Sequence, residues 1–481
     1  MTAIPYPGMT SVLDNSPPQR PSVGQSSSAL TSPEYVGRRL AGQKVVVVHG
    51  GARDGYQVAL ALSEAGLLQA LVTDLFWPSD RPWARHLSGL LPASLQSMLR
   101  QRSQPALPSS EVRNCVLAGC KTLLLDRLPR ASFDLRRRAV RSADSTLGRA
   151  AGRLAAESGS GLLSYSYFAY DAFRSYPRPG ILFQVHPHPA TIRRILSEEL
   201  AAHPDCAASL QQEWELALPE QDFQNLVAEP ALASRFLCAS SFTRRSLVEN
   251  GAAESAIRVI PYGVDLDRFH PDPTRRYTPG SKLRLLFVGR INQRKGVKYL
   301  LEALSLLNTD QLDITICGRV VDGLELFQPF ADRIRIRPNV SAAELTAAYQ
   351  AADLFVFPSV AEGFGQVLLE SLASGLPVLS TTHTAAPDLI DSGSEGFIIE
   401  PRRPDLLAER IDWALTHRSE LAEMGHRARA RAMHFTWQRF RSGIVSAVEE
   451  FLPDLSGSNE PGIRIPDRRF QHSDPGRFTG A

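Results

Sequence analysis

Leu354-Phe355-Val356-Phe357-Pro358-Ser359-Val360-Ala361-Glu362-Gly363-Phe364-Gly365-Gln366-Val367-Leu368-Leu369-Glu370 reads as a short buried strand, a glycine-bearing turn and the opening of a helix. Four apolar residues in succession, without alternation, fit a strand covered on both faces, as in a parallel sheet. Pro358 ends the strand, while Gly363 and Gly365 let the backbone come close to a ligand or to another segment. With a helix opening near Gly365, Glu370 falls between one and two turns in and Glu362 lies in the loop before it. The two carboxylates can then meet one ligand from different depths.

The same unit recurs upstream. Leu283 to Val288 is strand-like, Gly289-Arg290-Ile291-Asn292-Gln293-Arg294-Lys295-Gly296 is its loop, and a helical pattern runs from Gly296 to Leu307. Arg290 and Lys295 therefore stand at a strand end beside a helix N-terminus, where backbone donors, a guanidinium fork and a point charge suit a pyrophosphate. The rival reading is two solvated cations on a surface loop. A carboxylate accepts two hydroxyls at once, so beside a diphosphate Glu370 suits a ribose diol and Glu362 a hexose diol. Further strands are expected at 313–317, 334–337, 377–380 and 396–399, with helices at 341–352, 405–433 and 437–452, making 282–434 a doubly wound α/β domain.

Upstream lies a second domain of the same class, 44–275. It opens with Lys44-Val45-Val46-Val47-Val48-His49, the turn Gly50-Gly51 and a helix from Tyr56 to Ala65. More strands are expected at 70–74, 162–166, 181–185 and 236–240, and the stretch 77–154 reads as helical and rich in arginine. The segments 1–43 and 456–481, heavy in Pro, Ser, Gly and Arg, read as disordered tails. Two such domains facing across a cleft place ligands at the carboxyl ends of the strands.

Composition bounds the partners. The 481 residues are too many for one core, 43% hydrophobic and 21% charged residues are ordinary for globular protein, and a net charge of +3 offers no basis for nucleic-acid binding. Five scattered cysteines (Cys115, Cys120, Cys206, Cys238, Cys317) fit free thiols in a reducing compartment, and no apolar run spans a bilayer, so a cytoplasmic location is expected. Arg136-Arg137-Arg138 and Arg141, within an arginine-rich stretch from Arg127 to Arg153, suit either a solvated helix face or peripheral contact with an anionic membrane. Neither metal nor cofactor is expected.

Taken together, Val288-Gly289-Arg290 with Lys295-Gly296, Pro358-Ser359 with Glu362 through Glu370, Ala373-Ser374-Gly375-Leu376-Pro377-Val378, Gly396-Phe397 and Ile260-Pro261-Tyr262-Gly263-Val264-Asp265 resemble glycosyltransferase family 4, over most of the chain. The resemblance implies the GT-B fold and retaining transfer from a nucleotide-diphosphate sugar, without a metal, to a glycan or lipid-linked acceptor. It places Arg290 and Lys295 on the diphosphate, Glu362 on the transferred sugar, Glu370 on the ribose, and the backbone of Gly363, Phe364 and Gly365 around them. His186, after the strand at 181–185, matches a histidine the family often has near the sugar, with His188 as its competitor. Gly50-Gly51 resembles the family's glycine-rich loop, though a tight turn explains both glycines. A last helix, 435–453, is implied to cross back to the first domain.

Two other readings stay open: a catalytically inactive sugar-nucleotide-binding scaffold, and a GT-B phosphorylase or epimerase. A dinucleotide-dependent oxidoreductase finds little support, because His49-Gly50-Gly51-Ala52-Arg53-Asp54-Gly55 lacks the G-x-G-x-x-G spacing. Trp214, in Glu213-Trp214-Glu215, is expected to pack rather than stack on a sugar.

Overall fold

A computed structural model describes residues 43–119, 133–274, 281–307, 310–321 and 323–456. Among these residues two all-parallel sheets form, of seven and six strands. The first contains β1 (Val45–Val48), β2 (Leu68–Thr73), β3 (Val112–Asn114), β4 (Gly161–Tyr165), β5 (Gly180–Gln184), β6 (Ala233–Cys238) and β7 (Ile257–Val259), in the order β3-β2-β1-β4-β5-β6-β7. The second contains β8 (Leu283–Val288), β9 (Leu312–Cys317), β10 (Ile334–Arg337), β11 (Leu354–Phe357), β12 (Val378–Thr381) and β13 (Gly396–Ile399), in the order β10-β9-β8-β11-β12-β13. Each order reverses once, between β1 and β4 and between β8 and β11. At such a switch point neighbouring loops diverge and leave a crevice at the strand ends.

The unbroken apolar runs explain the central strands. Every side chain of β1 and β11 is buried, as a parallel strand covered by helices on both faces requires. The doubly wound architecture expected of both halves is the one adopted. One correction concerns the stretch 77–154, read as helical, which contains the edge strand β3. Val112-Arg113-Asn114 has no apolar run to reveal it. It is held by parallel pairing with β2 and by the Asn114 side-chain amide, which bonds both the N–H (2.8 Å) and the C=O (3.0 Å) of Phe76. The short edge strand β7 was not expected either.

Helices α1 (Gln57–Glu64) and α2 (Phe133–Ser158) cover the first sheet, and α3 (Pro189–Ala202), the single turn α4 (Trp214–Ala217) and α5 (Ser241–Glu249) follow its later strands. In the second half, α6 (Val297–Leu306), α7 (Ala342–Ala351), α8 (Gln366–Ala373), α9 (Pro404–Thr416) and α10 (Arg418–Ala432) surround the sheet. The final helix, α11 (Trp437–Ser456), packs Phe440, Ile444, Val448 and Phe451 into the core of the first half, and Arg441 pairs with Glu64 of α1 at 2.8 Å. The tails expected at 1–43 and 456–481 lie outside the described residues except for Gln43 and Ser456, and so do Cys120 and Arg127 to Arg130. No helix among the described residues is long and apolar enough to cross a membrane.

Two arginines of α2 turn inward, while Arg138, Arg149 and Arg153 stay exposed. Arg141 is buried, donates to Tyr167 O at 2.9 Å and faces Asp144 at 3.5 Å. Arg137 bonds Ala217 O and Asp134. These two side chains are thus engaged by the Tyr167 carbonyl and the 217 turn rather than offered to solvent.

Candidate functional site at the two switch points

The loops after β8 and β11 lie on either side of the switch point in the second sheet and are tied by their own backbones. Val360 N–H and Ser359 Oγ both donate to Arg294 O, at 2.9 and 3.1 Å. Asn292 caps the short turn Gln293–Lys295 through its side-chain oxygen, 3.3 Å from Lys295 N, which fixes where Lys295 leaves the backbone. Lys295 Nζ then meets Glu362 Oε2 directly, and Glu362 Oε1 accepts from Gly363 N–H at 3.1 Å. Burial and the charge of Arg294 push the Lys295 ammonium below its usual range, Glu213 pulls the other way, and contact with Glu362 favours the charged form.

Glu370 sits in the second turn of α8. Its Oε2 accepts from the Tyr349 hydroxyl at 2.9 Å, and burial raises its carboxyl above the ordinary range despite that bond and the charge of Arg268. Gly365 precedes α8 at φ +84°, a conformation that favours glycine. Phe364 is buried with its ring edge-on to Tyr262, centroids 5.0 Å apart, so only its backbone is left for a ligand. Arg290 does not join Lys295 and Glu362. Its side chain is 57% exposed and lies 3.4 Å from Glu213, a residue of the first half.

Gly363 brings the two halves together. A Cβ at this position would lie 3.0 Å from His186 Cα and closer still to Val185 O, so only a glycine lets the loop press against the end of β5. Its carbonyl accepts from the hydroxyls of Ser240 and Thr243 in the first half. His186 thus stands where the two sets of strand ends meet. Burial, with Arg294 and Arg53 adding to it, drives its imidazole well below the usual range, so the ring is neutral, and its Nδ1 is buried without a hydrogen-bond partner. His188 is engaged elsewhere, since its Nδ1 accepts from Ala190 N–H at 3.2 Å and caps α3.

A cavity of about 300 Å³ opens at the switch point of the first sheet, lined by Gly50, Gly51, Arg53, Asp144, His186 and Trp214, among others. Gly51, at φ +71°, donates its N–H to Asp74 at 2.8 Å, and Asp74 also holds Arg102 at 2.8 Å. Trp214 both packs and lines: it meets Tyr167 edge-on at 6.5 Å and still forms part of the cavity wall.

Sequence reasoning missed Arg294. This buried guanidinium donates to Glu213 at 2.7 Å, to Ala361 O at 3.1 Å, and faces Glu215 at 3.6 Å, joining the halves. Lying between Arg290 and Lys295 it looked like one more loop cation. The signal was the pair of acids flanking Trp214, which has meaning only once a partner is found far away in the sequence. Tyr349, the partner of Glu370, gave no signal beyond that of a helical aromatic.

The family profile described as Glycosyl transferases group 1 matches residues 274–431. A D-inositol 3-phosphate glycosyltransferase of Corynebacterium jeikeium is 32% identical over 224 residues, 42% of this chain and 54% of the relative. A GDP-mannose-dependent alpha-(1-6)-phosphatidylinositol monomannoside mannosyltransferase of Mycobacterium tuberculosis is 28% identical over 206 residues, 39% of this chain and 54% of the relative. The chain spans about half the length of the curated relatives it matches. Among solved structures, sucrose-phosphate synthase from Thermosynechococcus elongatus has a TM-score of 0.59 at 17% identity, covering 86% of this chain and 100% of that one. Anabaena HepE in complex with UDP-glucose has a TM-score of 0.53 at 15% identity, covering 85% and 99%.

Proposed function

We propose, from the premise that this chain is a group 1 glycosyltransferase of the two-domain GT-B architecture, that it moves a hexosyl group with retention from a nucleoside diphosphate sugar to a glycan or lipid-linked acceptor, without a metal. One observation carries this reading: the Lys295 and Glu362 contact at the β8/β11 switch point, next to Gly363 pressed on His186. Lys295, with Arg290 swung in from the surface, takes up the negative charge that grows on the leaving diphosphate, as preorganised cations do in place of a metal. Glu362 holds hydroxyls of the transferred sugar, and Glu370, steadied by Tyr349, holds the ribose diol. The neutral His186 offers its unpartnered Nδ1 to the sugar. The bond from the anomeric carbon to the β-phosphate oxygen breaks, the acceptor oxygen bonds that carbon on the same face, and its proton goes to a donor phosphate oxygen.

The cavity at the first switch point is the acceptor site in this reading, with Gly50 and Gly51 as its floor. The names of the relatives make inositol-bearing acceptors the first to assay. A lipid-linked acceptor is favoured by the exposed face of helix Pro82–Gly89: Trp83 and Leu87, followed by Leu90, recur at helical spacing beside Arg81 and Arg85. A cytoplasmic location, peripheral on the inner face of the plasma membrane, follows from that reading, and sedimentation with anionic liposomes at low salt tests it.

The deciding experiment incubates the chain with UDP-, GDP- and ADP-sugars, with and without inositol phosphate, phosphatidylinositol or short glycans. Acceptor-dependent release of nucleoside diphosphate, undiminished by EDTA and giving an α-linked product from an α-linked donor, is expected. No release from any pair would leave a binding scaffold, and turnover requiring inorganic phosphate would mark a phosphorylase.

A further inference from the structure

Three donors of the loop after β8 converge on one carboxylate that comes from the other half of the molecule. Glu213 Oε1 accepts from Asn292 Nδ2 at 2.9 Å and faces Arg290 Nη2 at 3.4 Å, while its Oε2 accepts from Arg294 at 2.7 Å. The carboxylate is 3% exposed and its place is fixed, because Arg294 is itself buried against Ala361 O and Glu215. Arg290, 57% exposed and at the longest of the three distances, is the one partner free to move. Burial opposes the charge on Glu213, yet Arg294 and Arg290 hold its carboxyl below the usual range, so it is an anion at neutral pH.

We infer that Glu213 is a positioning residue that holds Arg290 between turnovers, gives it up to the donor diphosphate, and takes it back as the nucleoside diphosphate leaves. The inference rests on the reading of Arg290 as a diphosphate ligand. Two anionic groups cannot both be neutralised by one guanidinium, and at short range in a partly buried site their mutual repulsion is barely screened. Glu213 therefore lowers the affinity of the second domain for any diphosphate and so speeds product release, while Asn292 and Arg294 keep the carboxylate itself in place. Trp214, the next residue, lines the acceptor cavity, and Glu215 after it accepts from the Tyr167 hydroxyl at 3.0 Å, so the same three residues join the diphosphate loop to the acceptor side.

The sign of the effect separates this role from a bracket between domains. Loss of a bracket weakens ligand binding, whereas loss of a competing anion strengthens it. Calorimetry with inorganic pyrophosphate, UDP and GDP on the full chain is the test. Glu213→Gln is expected to bind the diphosphates about tenfold more tightly, with a lower kcat and a burst of product in the first turnover. Glu213→Asp, which keeps the charge but withdraws it by one methylene, covers the case in which the amide variant does not fold, and is expected to gain about threefold. In an Arg290→Gln background the gain disappears, since it acts through Arg290. Native protein that binds pyrophosphate or a nucleoside diphosphate, with folded variants that bind no tighter, overturns the inference alone. Native protein that binds none overturns the diphosphate reading and the inference with it.

Discussion

Replacing Gly363 by alanine tests whether the two switch points form one site. Gly363 has no positive φ, so the methyl adds no backbone strain, and its effect is steric. The new Cβ would stand 3.0 Å from His186 Cα, where carbon atoms rest at about 3.5–4.0 Å, and it would press harder still on Val185 O. Both obstacles are backbone at the end of the central strand β5 and cannot turn aside, so the loop must retreat by about 1 Å. That retreat loosens the bonds that Ser240 and Thr243 give to the Gly363 carbonyl and carries Glu362, the preceding residue, away from His186. A misplacement of ~1 Å in a catalytic constellation costs on the order of 100-fold in rate. The expected result is a fall in kcat of that order with donor KM changed far less, since Lys295, Glu370 and Tyr349 lie wholly within the second half. Steady-state assay of nucleoside diphosphate release measures both constants, and a melting curve confirms folding. A variant that keeps kcat within about threefold would refute the close approach of the two halves as a requirement of the chemistry.

Arg294→Met strands Glu213 and Glu215 in a buried site, a loss of about 3 kcal/mol, because Asn292 and Arg290 still serve Glu213. Thermal melting should fall by roughly 5–10 °C, and an unchanged transition would show that the network contributes nothing. Glu370→Ala is expected to raise donor KM and Glu362→Ala to lower kcat, while Tyr349→Phe, which removes one hydrogen bond worth about 1 kcal/mol, raises donor KM roughly fivefold. Equal kinetics in any of these variants removes that residue from the site. Asp144, pushed up to about 7 by burial against the pull of Arg141 and Arg53, keeps a proton that the unfolded chain loses near pH 4. Its ionisation therefore costs stability as pH rises from about 4 to 7, and Asp144→Asn should gain in melting temperature over the native chain across that window, with the gain levelling off above about pH 7. A pH-independent difference would show that Asp144 ionises freely in the folded protein.

Most of the architecture was legible because each central strand of a parallel sheet is buried on both faces and must be written as an apolar run. Val45 to Val48, Leu283 to Val288 and Leu354 to Phe357 are such runs, and the glycine turns behind them mark the strand ends where ligands collect. The edge strand Val112–Asn114 was invisible for the same reason: exposed on its side chains, it is specified by ladder partners and by Asn114, not by hydrophobicity. At the candidate site, the local motif placed Glu362, Lys295 and the glycines in the loops after β8 and β11 and Glu370 in the helix that follows, where the structure has them, since local conformation is set by neighbours in sequence. What those groups meet was decided by the tertiary structure alone. His186 and His188 are two residues apart and indistinguishable by type, yet one faces the cavity and the other caps a helix, because the chain turns into α3 between them. Arg290 and Arg294 read alike, but only folding brings Glu213 within reach and buries one while leaving the other exposed. A carboxylate some eighty residues away in the chain has no covalent rule tying it to the loop it serves; its partner is chosen by how the two sheets close on each other.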